Sequence, residues 1–212
     1  MRSPLAEAER EKLIEAILPD VVFDGWTHAA LRRAAGRTGI PFAEAMALFP
    51  RGAPDLVAAS SRWADLKMLD RLDAMALDGL GTSARVRLAI QARFAVLEPF
   101  REAVRRGLAV LAMPQHAPLG CRLLYDTVDA IWYAAGDAAT DFSFYTKRAT
   151  LAALYSAAVV YWLDDRSEGA ADTMVFIDRR LADLRRFGDM RGRVGELAAR
   201  LPNPFRLLRP MR

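Results

Sequence analysis

Residues 129–155 read DAIWYAAGDAATDFSFYTKRATLAALY, and the architecture turns on how this stretch folds. Gly136 can take the left-handed conformation that ends a helix, and Thr140 or Asp141 can cap the next one by accepting backbone N–H bonds. The segment is therefore a joint between two helices. Ile131, Trp132 and Tyr133 stand in a row just before it, and each step along a helix turns the face by about 100°. Three consecutive bulky side chains cannot all enter one core, so at least one is left at the surface or at an interface. Beyond the joint, Leu151, Leu154, Tyr155, Ala158, Val159 and Trp162 spread around much of the helix with alanines between them. A helix apolar on most sides belongs in the centre of a helical body.

The same three- and four-residue spacing continues outward in both directions, and no alternating run is long enough for a strand. The chain reads all-α, with about nine or ten helices. Leu5 to Leu18 forms a first helix closed by Pro19, Thr27 caps a second that stops at Gly39, and a short third runs from Pro41 to Leu48. Longer helices are expected over 54–77, 83–97, 99–112, 118–135, 141–163 and 168–187, punctuated by Gly79, Gly81, Pro114, Gly136 and Gly188. In the last of them Met174, Ile177, Leu181 and Leu184 share one face, so it packs on one side only.

The 212 residues are 53% apolar and 26% charged with a net charge of +4, the composition of a globular chain. One cysteine, Cys121, allows neither a disulfide framework nor a thiolate metal site, and a reducing cytosolic setting follows. The charged start, MRSPLAEAEREKLIEA, has no apolar core of a signal peptide. The longest useful uncharged run, Ala149 to Leu163, falls short of the ~20 residues that cross a bilayer.

Chemical motifs are sparse. His28 and His116 are far apart, and no HExxH, CxxC, phosphate loop or GxSxG elbow is present, so no catalytic residue, metal site or cofactor is assigned. Cys121, beside Gly120 and before Leu123 and Leu124, reads as a small buried hydrophobe rather than a reactive thiol. The spacing of Val22-Phe23-Asp24-Gly25-Trp26-Thr27, Gly39-Ile40-Pro41 and Leu48-Phe49-Pro50 resembles the helix-turn-helix start of TetR-type regulators over about the first 57 residues. Its third helix, PFAEAMAL, offers only Glu44 as a polar side chain and has nothing to read a base edge. Arg32, Arg33, Arg37 and Arg51 could touch phosphate but are equally the charges of a solvated face. No nucleic-acid partner is expected.

The Trp-Tyr-x-Ala-Gly-Asp run of 132–137, followed by Thr140-Asp141-Phe142 and Tyr145-Thr146-x-Arg148, resembles the signature of the coenzyme Q (ubiquinone) biosynthesis accessory family. The match reaches through the helix to Leu163 and more loosely to Phe187. The resemblance implies a TetR-repressor-like fold and a non-catalytic protein that binds isoprenoid lipid or a ubiquinone intermediate. It further implies that Asp129, Trp132 and Tyr133 meet a pathway hydroxylase, and that the last long helices form a homodimer. Leu151, Tyr155 and Trp162 are the candidates for the lipid pocket.

The tail, GDMRGRVGELAARLPNPFRLLRPMR from Gly188, combines arginines with apolar residues, as a segment lying on an anionic membrane does; a short docked helix would explain it equally well. The family's last helix is amphipathic and meets the bilayer, which implies membrane contact by Leu197, Arg200, Leu201, Phe205, Arg206 and Arg209. The chain thus divides into a helix-turn-helix-like module (1–57), a lipid-binding and dimerisation body (58–190) and a basic tail (191–212). It is expected to be cytoplasmic, peripheral on the inner membrane of a bacterium. The competing reading is a ligand-responsive DNA-binding repressor with the same body.

Overall fold

The computed structural model describes residues 4–136 and 142–200, with the side chains of 5–136, 146–184 and 186. Among these the order is α1 (Pro4–Asp24), α2 (His28–Thr38), α3 (Phe42–Leu48), α4 (Ala53–Asp73), α5 (Thr82–Leu97), α6 (Arg101–Leu111), α7 (Ala117–Ala134), α8 (Phe142–Asp164) and α9 (Ala171–Arg200), with no strand. Short 3-10 turns at Glu98–Phe100, Pro114–His116 and Glu168–Ala170 precede α6, α7 and α9.

The first helix does not close at Pro19. Pro19 lies inside α1, which runs on to Asp24. A proline removes one hydrogen bond to the preceding turn, and here both Pro19 and Glu15 are exposed, so water can satisfy the carbonyl left without a partner. The helix stops instead at Gly25, whose φ of 68° only glycine takes freely, and whose N–H reaches Val21 O at 2.9 Å. Thr27 then caps α2 by accepting from Ala30 N, and Gly39 ends it, as the sequence implied. Leu13, Ile14, Ile17, Leu18 and Val21 make the buried stripe of α1, each contributing about 1.5–3 kcal/mol by leaving water.

Other helix ends also differ from expectation. The fourth helix ends at Asp73 rather than Leu77, and the one expected from Pro99 begins as a 3-10 turn with α6 proper from Arg101. The ninth starts at Ala171 after Gly169 and Ala170 both take positive φ, and it passes through Gly188 to Arg200.

The body is built around α4, which packs against α1, α5, α6 and α7, while α8 lies between α7 and α9. Leu151, Leu154, Tyr155, Ala158, Val159 and Trp162 are all buried, so α8 is central as its sequence demanded. Phe94 stacks on Trp162 with centroids 5.0 Å apart. The sixth helix ties the halves together through arginines on carbonyls. Arg106 donates to Val22 O near the end of α1, and Arg101 and Arg105 donate to Trp162 O, Asp165 O and Leu163 O around the end of α8. Cations on the last carbonyls of a helix also meet the negative end of its dipole. Trp26 adds a buried bond from Nε1 to Ala103 O at 3.0 Å.

Candidate functional site

The joint quoted at the outset puts its three bulky residues where the 100° step requires. Ile131 is fully buried, Trp132 half-buried and Tyr133 79% exposed. Gly136 holds φ at 75°, so the turn needs glycine for its conformation; a Cβ there would meet only the mobile tip of Arg85, 3.1 Å from Nη1. Thr140 and Asp141, the expected caps of α8, lie outside the described residues.

Around Tyr133 the surface is ordered by α8. Asp129 accepts a forked pair of bonds from Arg148, 2.9 Å from Nε and 2.6 Å from Nη2, and the Lys147 ammonium sits 5.7 Å from the Trp132 ring centroid. The forked guanidinium–carboxylate pair fixes α7 against α8 at this point. Asp129, Trp132 and Tyr133 therefore share one end of the α7–α8 pair, with an aromatic held flat under a cation and a phenol in solvent. Such a surface can offer aromatic contacts and a hydroxyl to a protein partner.

The body also holds a buried polar network that sequence reasoning missed. Arg93 of α5 is buried and donates from Nε to Asp65 Oδ1 of α4 at 2.7 Å, from Nη1 to the Tyr155 hydroxyl of α8 at 2.5 Å, and from Nη2 to Ser61 Oγ at 3.2 Å. Thr127 of α7 donates to the same carboxylate, 3.0 and 3.1 Å from its two oxygens. Burial pushes the Tyr155 phenol up, to about 12, with the Asp65 charge adding to it and Arg93 only partly offsetting it. Burial works against the Arg93 cation, but Tyr155 and Asp65 outweigh it and hold the guanidinium above its ordinary value. Four helices are pinned by one ion pair.

Leu151, Tyr155 and Trp162, the expected pocket residues, sit in this core. Tyr155 is spent on Arg93; Trp162 lies between Phe94 and Arg101 and donates from Nε1 to Glu98 at 3.0 Å. A groove of about 880 Å³ opens elsewhere, along α4 between α1 and α7, and a smaller one of about 470 Å³ between α4, the end of α5 and the 3-10 turn that follows it; neither is lined by those three residues. Cys121, expected inside, is exposed. It lies in the first turns of α7, where Leu123 and Leu124 pack partly buried against the core and fully buried residues begin only at Thr127. The membrane residues Leu197, Arg200, Leu201, Phe205, Arg206 and Arg209 lie outside the described side chains.

In the first module the arginines are engaged at home. Arg33 and Arg37 pair with Asp20 and Asp24, Arg51 with Asp55, and the Arg32 guanidinium stacks over Phe42 at 4.6 Å. Among the described residues no three of His, Cys, Asp or Glu are grouped to hold a metal, and no helix is long and apolar enough to cross a membrane.

The order and packing of the helices make an all-α, TetR-like fold. A solved TetR transcriptional regulator from Nitrosomonas europaea superposes with a TM-score of 0.66 at 20% identity, covering 82% of this chain and 97% of that one, which is a likeness of fold. Residues 117–188, spanning α7, α8 and part of α9, match the COQ9 family. Over most of its length the chain is similar to the COQ9 ubiquinone biosynthesis proteins. It is 30% identical over 189 residues to the rat mitochondrial protein and to its human counterpart, and 31% identical over 180 residues to that of Drosophila melanogaster. These alignments take in 82–86% of this chain, which spans 55–60% of the length of those relatives. They also correct the expected location on a bacterial inner membrane, since the proteins it aligns with are eukaryotic and are named as mitochondrial.

Proposed function

We propose that this chain is a non-catalytic accessory protein of ubiquinone biosynthesis that binds an isoprenoid lipid or quinone intermediate and presents it to a pathway hydroxylase at a membrane surface. The observation that carries the reading is the coincidence of the COQ9 match with an exposed aromatic patch: Asp129, Trp132 and Tyr133 all fall within residues 117–188. Tyr133 is far more open than folding alone requires, and aromatic residues of this kind are the usual anchors of protein interfaces. The DNA-binding alternative gains nothing from a third helix without base-reading groups and from arginines already committed to Asp20, Asp24 and Asp55. In this reading the basic tail supplies membrane contact, through electrostatic attraction and the burial of Leu197, Leu201 and Phe205.

The test is binding of the purified hydroxylase to Trp132→Ala and Tyr133→Ala variants. Each is expected to weaken the complex by about 2 kcal/mol, as loss of an aromatic anchor does, with helical content unchanged by circular dichroism. Wild-type affinity in both variants would remove the interface from this surface.

A further inference from the structure

We propose that the groove along α4 is a binding site for an amphiphile whose hydroxyl or phenol head donates a hydrogen bond to Asp65 and whose hydrocarbon chain lies along Ala58, Leu66 and Leu123. The proposal rests on the lipid-binding reading above and gives it a place and a head-group preference.

The groove exists because α1 and α7 flank α4 without closing over it. Its volume of about 880 Å³ is within the usual range of sites for small organic ligands, roughly 300–1,000 Å³. Ile14, Leu66, Leu69, Leu119 and Leu123 give it apolar walls, and Leu66 is 43% exposed with its side chain in water. Covering those carbons is the gain that a hydrocarbon chain would bring.

The head group follows from Asp65. This residue is 8% exposed yet lines the groove. A carboxylate offers about four acceptor positions, and among the described residues its side-chain donors are Arg93 Nε and the single hydroxyl proton of Thr127. Acceptor capacity is left over at a buried position, and a group that only accepts would meet it lone pair to lone pair. A hydroxyl or phenol O–H is the complement. An anionic head is disfavoured, because five carboxylates and four guanidiniums line the groove.

The experiment is calorimetric titration of the full chain with 2-farnesylphenol and with its methyl ether, which keeps the shape and removes the donor. Wild type is expected to bind the phenol at least about ten-fold more tightly, as a hydrogen bond to a charged acceptor would give. Ala58→Trp, which fills the groove from a half-buried position, should abolish both; Leu66→Glu, at an exposed position, serves if the first variant fails to fold. Equal affinity for phenol and ether would overturn the role of Asp65. Undiminished binding in folded groove variants would place the amphiphile elsewhere, overturning the groove while sparing the lipid-binding reading. Failure of wild type to bind either compound would overturn both.

Discussion

At the scale of single residues, the Arg93–Asp65 pair is the most consequential contact in the body. Its two side chains are 6% and 12% exposed, so removal of one leaves the other charge uncompensated in a medium that solvates it poorly. Arg93→Ala should cost about 3–5 kcal/mol in urea unfolding. Replacing the pair together by Met and Leu should cost much less, because no lone charge remains; a double variant as unstable as the single one would contradict this. The pair was hard to see in the sequence for a definite reason. Arg93 and Asp65 are 28 residues apart, and each type is ordinarily solvated. A weak signal was there: Arg93 stands at helical spacing between Ile90 and Leu97, and Asp65 with Met68 and Leu72, where an apolar residue was due.

Asp165 gives a second residue-level expectation. Burial acts to raise its carboxyl, but the hydroxyls and backbone N–H groups of Ser167 and Thr173 outweigh that and bring it down to about 2. A group lowered in the folded state contributes stability above its unfolded value of about 3.9, and loses it as pH falls through the folded value. Asp165→Asn should therefore be destabilised relative to wild type at neutral pH, with the gap closing between about pH 4 and pH 2. Acid titration of the two melting temperatures checks this, and a constant gap would refute it.

At the scale of elements, helix starts and stops were legible where one residue decides them, as with Thr27, Gly39 and Gly136. They were misread where a proline or a glycine did not stop its helix. Pro19 is overridden because α1 has Val21 still to bury, and Gly188 because a glycine within a helix costs only about 1 kcal/mol. The outer face of α8 and α9 remains open: Val160 is 63% exposed, Val175 47% and Tyr161 44%, with Tyr161 stacked on Phe176 at 5.0 Å. A second copy of the chain packing on this face is the proposed homodimer. Val160→Glu should give a monomer by light scattering without lowering the melting temperature of the folded chain, since the side chain already faces water. A dimer persisting in this variant would move the interface elsewhere.

At the scale of the whole molecule, the class of fold was legible because it rests on periodicity repeated over many helices, while the candidate site was legible only in part. The Trp132–Tyr133 surface follows from the angular step of a helix, a local rule. The α4 groove depends on how far α1 and α7 stand apart, which no local pattern encodes. Location was misjudged for a related reason, since composition and a lone cysteine describe a redox setting and do not specify an organelle.

The arginines of α6 that hold the ends of α1 and α8 have a mechanical consequence. A module joined to its body only through a connecting helix would melt separately, whereas here Arg106 and Trp26 clamp the first two helices to the element that Arg101 and Arg105 clamp to the eighth. Heating should then give one calorimetric endotherm whose van't Hoff and calorimetric enthalpies agree, and slow amide exchange should extend with similar protection across α1, α6 and α8. Whatever work the chain does, its helix-turn-helix-like end is carried as a fixed part of one rigid frame.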